Sequence, residues 1–126
     1  MTRLFFALGS IFGGLAVGLG AFGAHGLANI ITPENLVTYE TAVRYQMYHA
    51  IALLVLALAL AHWPAAAKPL QTGGWLFVAG IILFSGSLYL LSVGGIRWLG
   101  AVTPLGGVAF VGGWLFLVLA AWRGFK

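Results

Sequence analysis

Four long, predominantly apolar stretches govern this sequence: Leu4 to Ala24, Ala42 to Trp63, Gly73 to Val93 and Leu99 to Trp122. Each reaches the ~20 residues that carry an α-helix across a ~30 Å hydrocarbon core at 1.5 Å per residue. A helix is the only open-chain structure that satisfies its own backbone in lipid. The predicted fold is therefore all-α: an antiparallel four-transmembrane-helix bundle, one domain over residues 1–126. Composition agrees. The chain is 62% hydrophobic and 6% charged, with mean hydropathy +1.05, whereas a soluble domain is about half apolar and a quarter charged. A soluble chain of this size has no interior large enough to hide such a surface.

Other classes are excluded on the same grounds. The net charge of +4 comes from basic residues scattered singly, with no patch or stripe for nucleic acid. The absence of cysteine removes disulfides, thiolate metal sites and redox dithiols. The first stretch follows Arg3 and ends near Ala21-Phe22-Gly23, which has some look of a signal peptide. Its apolar run exceeds the roughly 7–15 residues of a signal core, so it is expected to stay as a membrane span.

Four spans put both termini and the middle loop on one side. Arg3, Lys68, Arg123 and Lys126 fall there; Arg44 and Arg97, with Glu34 and Glu40, fall on the other. The excess of basic residues predicts cytoplasmic termini in a multi-pass protein of the bacterial inner (plasma) membrane. Trp63, Trp75 and Trp122 then mark the inner interface; Trp98, Tyr39 and Tyr45 mark the outer one. Trp114 lies mid-helix and is expected to pack on a neighbour. Thr32-Pro33 and Thr103-Pro104 both read as N-cap followed by first helical residue. A helix from Pro33 to His62 would run about 45 Å, longer than the bilayer, so its first turns should stand among headgroups or break away. The two halves share this Thr-Pro layout but otherwise match poorly, which argues against a duplication.

Lipid tails are as apolar as leucine, so close approach rather than burial must hold the helices together. Small residues supply it: Gly9, Gly13, Gly14, Gly18 and Gly20 in the first stretch, Gly80 and Gly86 in the third, Gly106, Gly107 and Gly113 in the fourth. The chemistry-bearing residues concentrate in TYETAVRYQMYHA, Thr38 to Ala50. At 100° per residue, Glu40, Arg44 and Tyr48 share one stripe, and Thr41, Tyr45 and His49 the next. His25 approaches from the end of the first helix, and Thr103, Ser85 and Ser87 offer hydroxyls from the other two. A charge deep in the bilayer costs at least ~2.5–3.5 kcal/mol on insertion scales, which makes the cluster a candidate site. Three readings remain. It is a hydrogen-bond network fixing the fit of four helices; or a path for protons or a small solute; or, as a further alternative, a haem or metal site on His25 and His49. No GxSxG, HExxH, phosphate loop or facing carboxylate pair points to catalysis, so no enzymatic activity and no cofactor is expected.

The blocks GAFGAHGL, YETAVRYQMYHA, LFSGSLYLL and TPLGG…GGW, in this order, resemble a family of small bacterial membrane proteins catalogued as domain of unknown function 423, with eukaryotic relatives. The resemblance covers nearly the whole chain. It implies a four-helix integral membrane protein and a signature that includes His25, Tyr45, Gln46, His49, Ser85, Ser87, Tyr89, Thr103 and Pro104. The expectation is a structural or accessory protein, surrounded by membrane lipid and working as a homo-oligomer or inside a larger membrane complex. His25 is expected to join His49, Tyr45, Gln46 and the serines in one buried network.

Overall fold

The computed structural model describes residues 1–124; Lys126, one of the basic residues assigned to the terminal side, lies outside them. The helices are α1 (Thr2–Phe22), α2 (Pro33–His62), α3 (Ala67–Gly80), α4 (Gly86–Gly94) and α5 (Thr103–Gly124), and the described residues contain no strand. A π-helical turn, Gly23–Leu27, extends α1; another, Ile81–Ser85, joins α3 to α4. Short 3₁₀ turns, Pro64–Ala66 and Arg97–Ala101, lead into α3 and precede α5. The result is four spans, Thr2–Leu27, Pro33–His62, Pro64–Gly94 and Arg97–Gly124, each long and apolar enough to cross a membrane.

Local chemistry explains the boundaries. Thr32 caps α2 by accepting from the Asn35 N–H at 3.2 Å, with Pro33 at the first helical position. The helix then runs unbroken for 30 residues, so its first turns do not separate. The third span begins at Pro64 rather than Gly73. Pro69 sits in the first turn of α3, where the missing N–H has no intrahelical partner to lose. Gly95 ends α4 in the left-handed region at φ 66°, the one positive φ among the described residues. Thr103 departs from its expected capping role: it lies inside α5, and its hydroxyl bonds the Leu99 carbonyl instead.

The helices pack chiefly as two antiparallel pairs, α1 with α2 and α3 with α5, with α2 crossing α4 to join them. A core of Phe5, Leu53, Leu56, Leu70, Phe77 and Phe110 fills the middle. Glycines let the backbones meet. A Cβ on Gly9 would come within 2.9 Å of the Ala50 carbonyl, one on Gly113 within 2.5 Å of the Phe77 ring, and one on Gly106 would fall on the Phe84 backbone. Gly13, Gly20 and Gly107 also face neighbours, at 3.8 Å from Ala50, 3.3 Å from Val43 and 3.9 Å from Phe84. Gly14, Gly18 and Gly86 do not: nothing lies within 4 Å of the Cβ each would carry. The Gly14-x-x-x-Gly18 face of α1 points out of the bundle, because the buried face of α1 carries Phe5, Gly9 and Ala16, with Gly9 against Ala50 of α2 and Phe5 against Gly74 of α3. Gly80, in the predicted set, is enclosed against Phe110, and two glycines outside that set are as tightly enclosed: Gly23 against Tyr39 and Gly74 against Phe5.

Candidate functional site

The inward face of α2 decides which polar groups meet. Its buried residues include Tyr39, Ala42, Gln46, His49, Leu53 and Leu56, a 3-4 alternation that keeps one seam against neighbouring helices. Glu40, Arg44 and Tyr48 fall outside that seam and are exposed, as is Tyr45. The predicted stripe was thus placed toward the wrong side of the helix, and these four are not part of the buried network.

Along the seam, side chains brace helix to helix. Tyr89 on α4 donates its hydroxyl to the Gln46 Oε1 at 2.8 Å, and the Gln46 Nε2 donates across to the Phe12 carbonyl of α1 at 2.9 Å. Tyr39 reaches past Gly23 to donate to the Leu19 carbonyl at 2.6 Å; it is buried, 2% exposed, rather than a belt residue at the outer interface. Ser85, held by the π-helical turn, donates to the Ala42 carbonyl at 2.8 Å. Ser87 and Thr103 share a hydrogen bond of 2.6 Å that ties α4 to α5. Three of these donors end on carbonyls of another helix. A carbonyl already paired along its own helix keeps a second lone pair, so these braces leave the helices intact.

His49 forms a separate node. Its Nδ1 lies 2.7 Å from the Tyr45 carbonyl, and the Trp114 Nε1–H donates to its Nε2 at 3.1 Å. A carbonyl only accepts and an indole N–H only donates. The ring therefore carries its proton on Nδ1 and is neutral, with both nitrogens engaged. Phe110 stacks on it, with centroids 3.5 Å apart and planes 9° apart. The nitrogen a haem iron or metal would take is occupied by Trp114. Trp114 is the residue that sequence reasoning missed as a site member; the signal was present, because an indole N–H at membrane depth needs an acceptor.

His25 stands apart. It is exposed, in a turn that buries Gly23 and Leu27 instead, and Tyr39 fills the inward slot beside it. It does not join His49, Tyr45, Gln46 or the serines. No group of three or more metal-binding side chains occurs among the described residues. Every buried side-chain nitrogen or oxygen among them has a hydrogen-bond partner.

Fold and site together define a small polytopic membrane protein whose four spans are cross-braced by side-chain hydrogen bonds. The chain belongs to the family described as Protein of unknown function (DUF423), whose model matches residues 19–107. It is similar to the UPF0382 membrane protein YwdK of Bacillus subtilis (strain 168), 54% identical over 119 residues, 94% of this chain and 96% of that one. It is also similar to the UPF0382 membrane protein SAB0533 of Staphylococcus aureus (strain bovine RF122 / ET3-1), 45% identical over 121 residues, 96% of this chain and 97% of that one. No solved structure matches.

Proposed function

We propose that this protein is a non-enzymatic subunit of the bacterial plasma membrane, with both termini in the cytoplasm, that works as a structural or accessory member of a homo-oligomer or larger membrane complex. The observation that carries the reading is the satisfied seam: every buried polar side-chain atom among the described residues is bonded within the protein. A conducting path needs groups that are free to exchange partners. Here Gln46 and His49 have both ends engaged, and Glu40 faces outward. Such a bundle is a rigid, dry body in lipid. The exposed side of α1 supports association: only 17% of the most apolar stretch of the first span is buried, against 39% in the second and third. Gly14 and Gly18 leave room there for a helix to come close.

The test is isolation of the native assembly in mild detergent alongside reconstitution in liposomes. The expected result is co-purification at fixed stoichiometry, with other copies or other membrane subunits, and no proton leak above that of empty vesicles. A proton or solute flux that His49→Ala abolishes would replace this reading with a conduit.

A further inference from the structure

Two open grooves flank the contact between α2 and α5, and their walls differ in kind. One, about 470 Å³, is walled by aliphatic residues such as Val55, Leu58, Leu70 and Leu117, with His62 and Trp63 also lining it. The other, about 590 Å³, is walled by rings: Tyr45, Tyr48, His49, Phe84, Phe110 and Trp114. Both volumes fall in the ~300–1,000 Å³ range of small-molecule sites. Lipid tails are aliphatic and mobile, and the first groove suits them. The second offers open ring faces: Tyr45, Tyr48 and Trp114 line it and are exposed, backed by His49 and Phe110, which stack on each other behind them.

The polar groups of the aromatic groove narrow its occupant further. No charged side chain lines it, so the occupant is neutral; an ion there would be desolvated without a partner. The ring nitrogens of His49 and the indole N–H of Trp114 are already engaged with each other and with Tyr45. The hydroxyls of Tyr45 and Tyr48 are not: neither makes a hydrogen bond among the described residues. Their rings lie 5.9 Å apart, within the first two turns below Arg44, where the charged part of α2 gives way to its apolar run. Phenol hydroxyls left without a protein partner on an exposed face at that depth are open to an acceptor that arrives from the lipid phase.

We propose that this groove binds the head ring of a lipid-soluble quinone, which stacks on the aromatic wall and accepts hydrogen bonds at its carbonyl oxygens from Tyr45 and Tyr48. Its apolar tail leaves past Val111, which is exposed on α5. A quinone unites the required features: flat, conjugated, uncharged, with carbonyl acceptors and a lipid tail. The inference goes beyond the structural role above and does not depend on it.

The test is equilibrium binding of decyl-ubiquinone to the purified full chain in detergent micelles, with decanol as the competitor that has a tail but no ring. The expected result is saturable, one-to-one binding that decanol does not displace. The double variant Tyr45→Phe with Tyr48→Phe removes two hydroxyls without protein partners, so it keeps its melting temperature and binds at least tenfold more weakly. Gly107→Leu also blocks binding. A Cβ there meets only the Phe84 ring, at 3.9 Å, and the added side chain fills the groove. Val55→Trp, which fills the aliphatic groove, leaves binding unchanged. Non-saturable uptake, equal competition by decanol, or undiminished binding by the double tyrosine variant would each overturn the proposal.

Discussion

Gln46 uses both ends of its amide, accepting from Tyr89 and donating to the Phe12 carbonyl, so one side chain ties three helices. Replacing it with leucine leaves the Tyr89 hydroxyl without its acceptor, a loss of about 1–3 kcal/mol for a buried group. The direct coupling is smaller. A double-mutant cycle on Gln46→Leu and Tyr89→Phe should return roughly 0.6 kcal/mol and at most about 1.7 kcal/mol, because the unfolded chain in a membrane also finds partners. Denaturation of the four variants in mixed micelles of sodium dodecyl sulfate measures it, and a coupling of zero would mean that the bond carries no stability. The residue types of the seam were legible in the sequence: Gln46, His49, Ser85, Ser87, Tyr89 and Thr103 all bond within the bundle. Their partners were not. Side-chain pairing depends on which arc of α2 faces inward, and the 100° grouping of Glu40, Arg44 and Tyr48 picks out an arc that the 3-4 spacing of Tyr39, Ala42, Gln46 and His49 overrules. His25 misled for a related reason, since a π-helical turn redirects side chains in a way helical periodicity does not anticipate.

Among the helices, glycine position matters more than glycine number. Gly106 lies so close to the third span that a Cβ would meet the Phe84 backbone, and backbone cannot step aside as a side-chain tip can. Gly106→Ala should therefore lower stability by about 1–3 kcal/mol, as overpacking does. Gly14→Ala meets open space and should raise monomer stability by up to ~1 kcal/mol through helix propensity alone. Thermal unfolding of the two variants in detergent reads both signs, and equal effects would refute the assignment of an inner and an outer glycine face. The sequence showed the four spans, the Thr32 cap and the rise in glycine content. It did not show which glycines touch, because Gly9 and Gly14-x-x-x-Gly18 differ only in the direction they point from α1.

At the scale of the whole molecule, the hydropathy pattern alone predicts four crossings, and the fold contains four spans of sufficient length. Orientation is a different kind of property. It arises from basic residues interacting with the insertion machinery and the membrane potential, not from contacts inside the bundle, so side-chain packing carries no record of it. Arg3, Lys68 and Arg123 lie on the side of the termini and the Pro64–Ala66 turn, against Arg44 and Arg97 on the other. The absence of native cysteine makes the prediction direct to check. Ala65→Cys and Ala101→Cys sit in exposed turns at opposite ends of the bundle and leave every basic residue in place. In intact cells a membrane-impermeant maleimide should label the cysteine at 101 and spare the one at 65, and lysis should expose both. The reverse pattern would put the termini outside. It would leave the braced seam unchanged but move the mouth of the aromatic groove from the outer half of the bilayer to the inner.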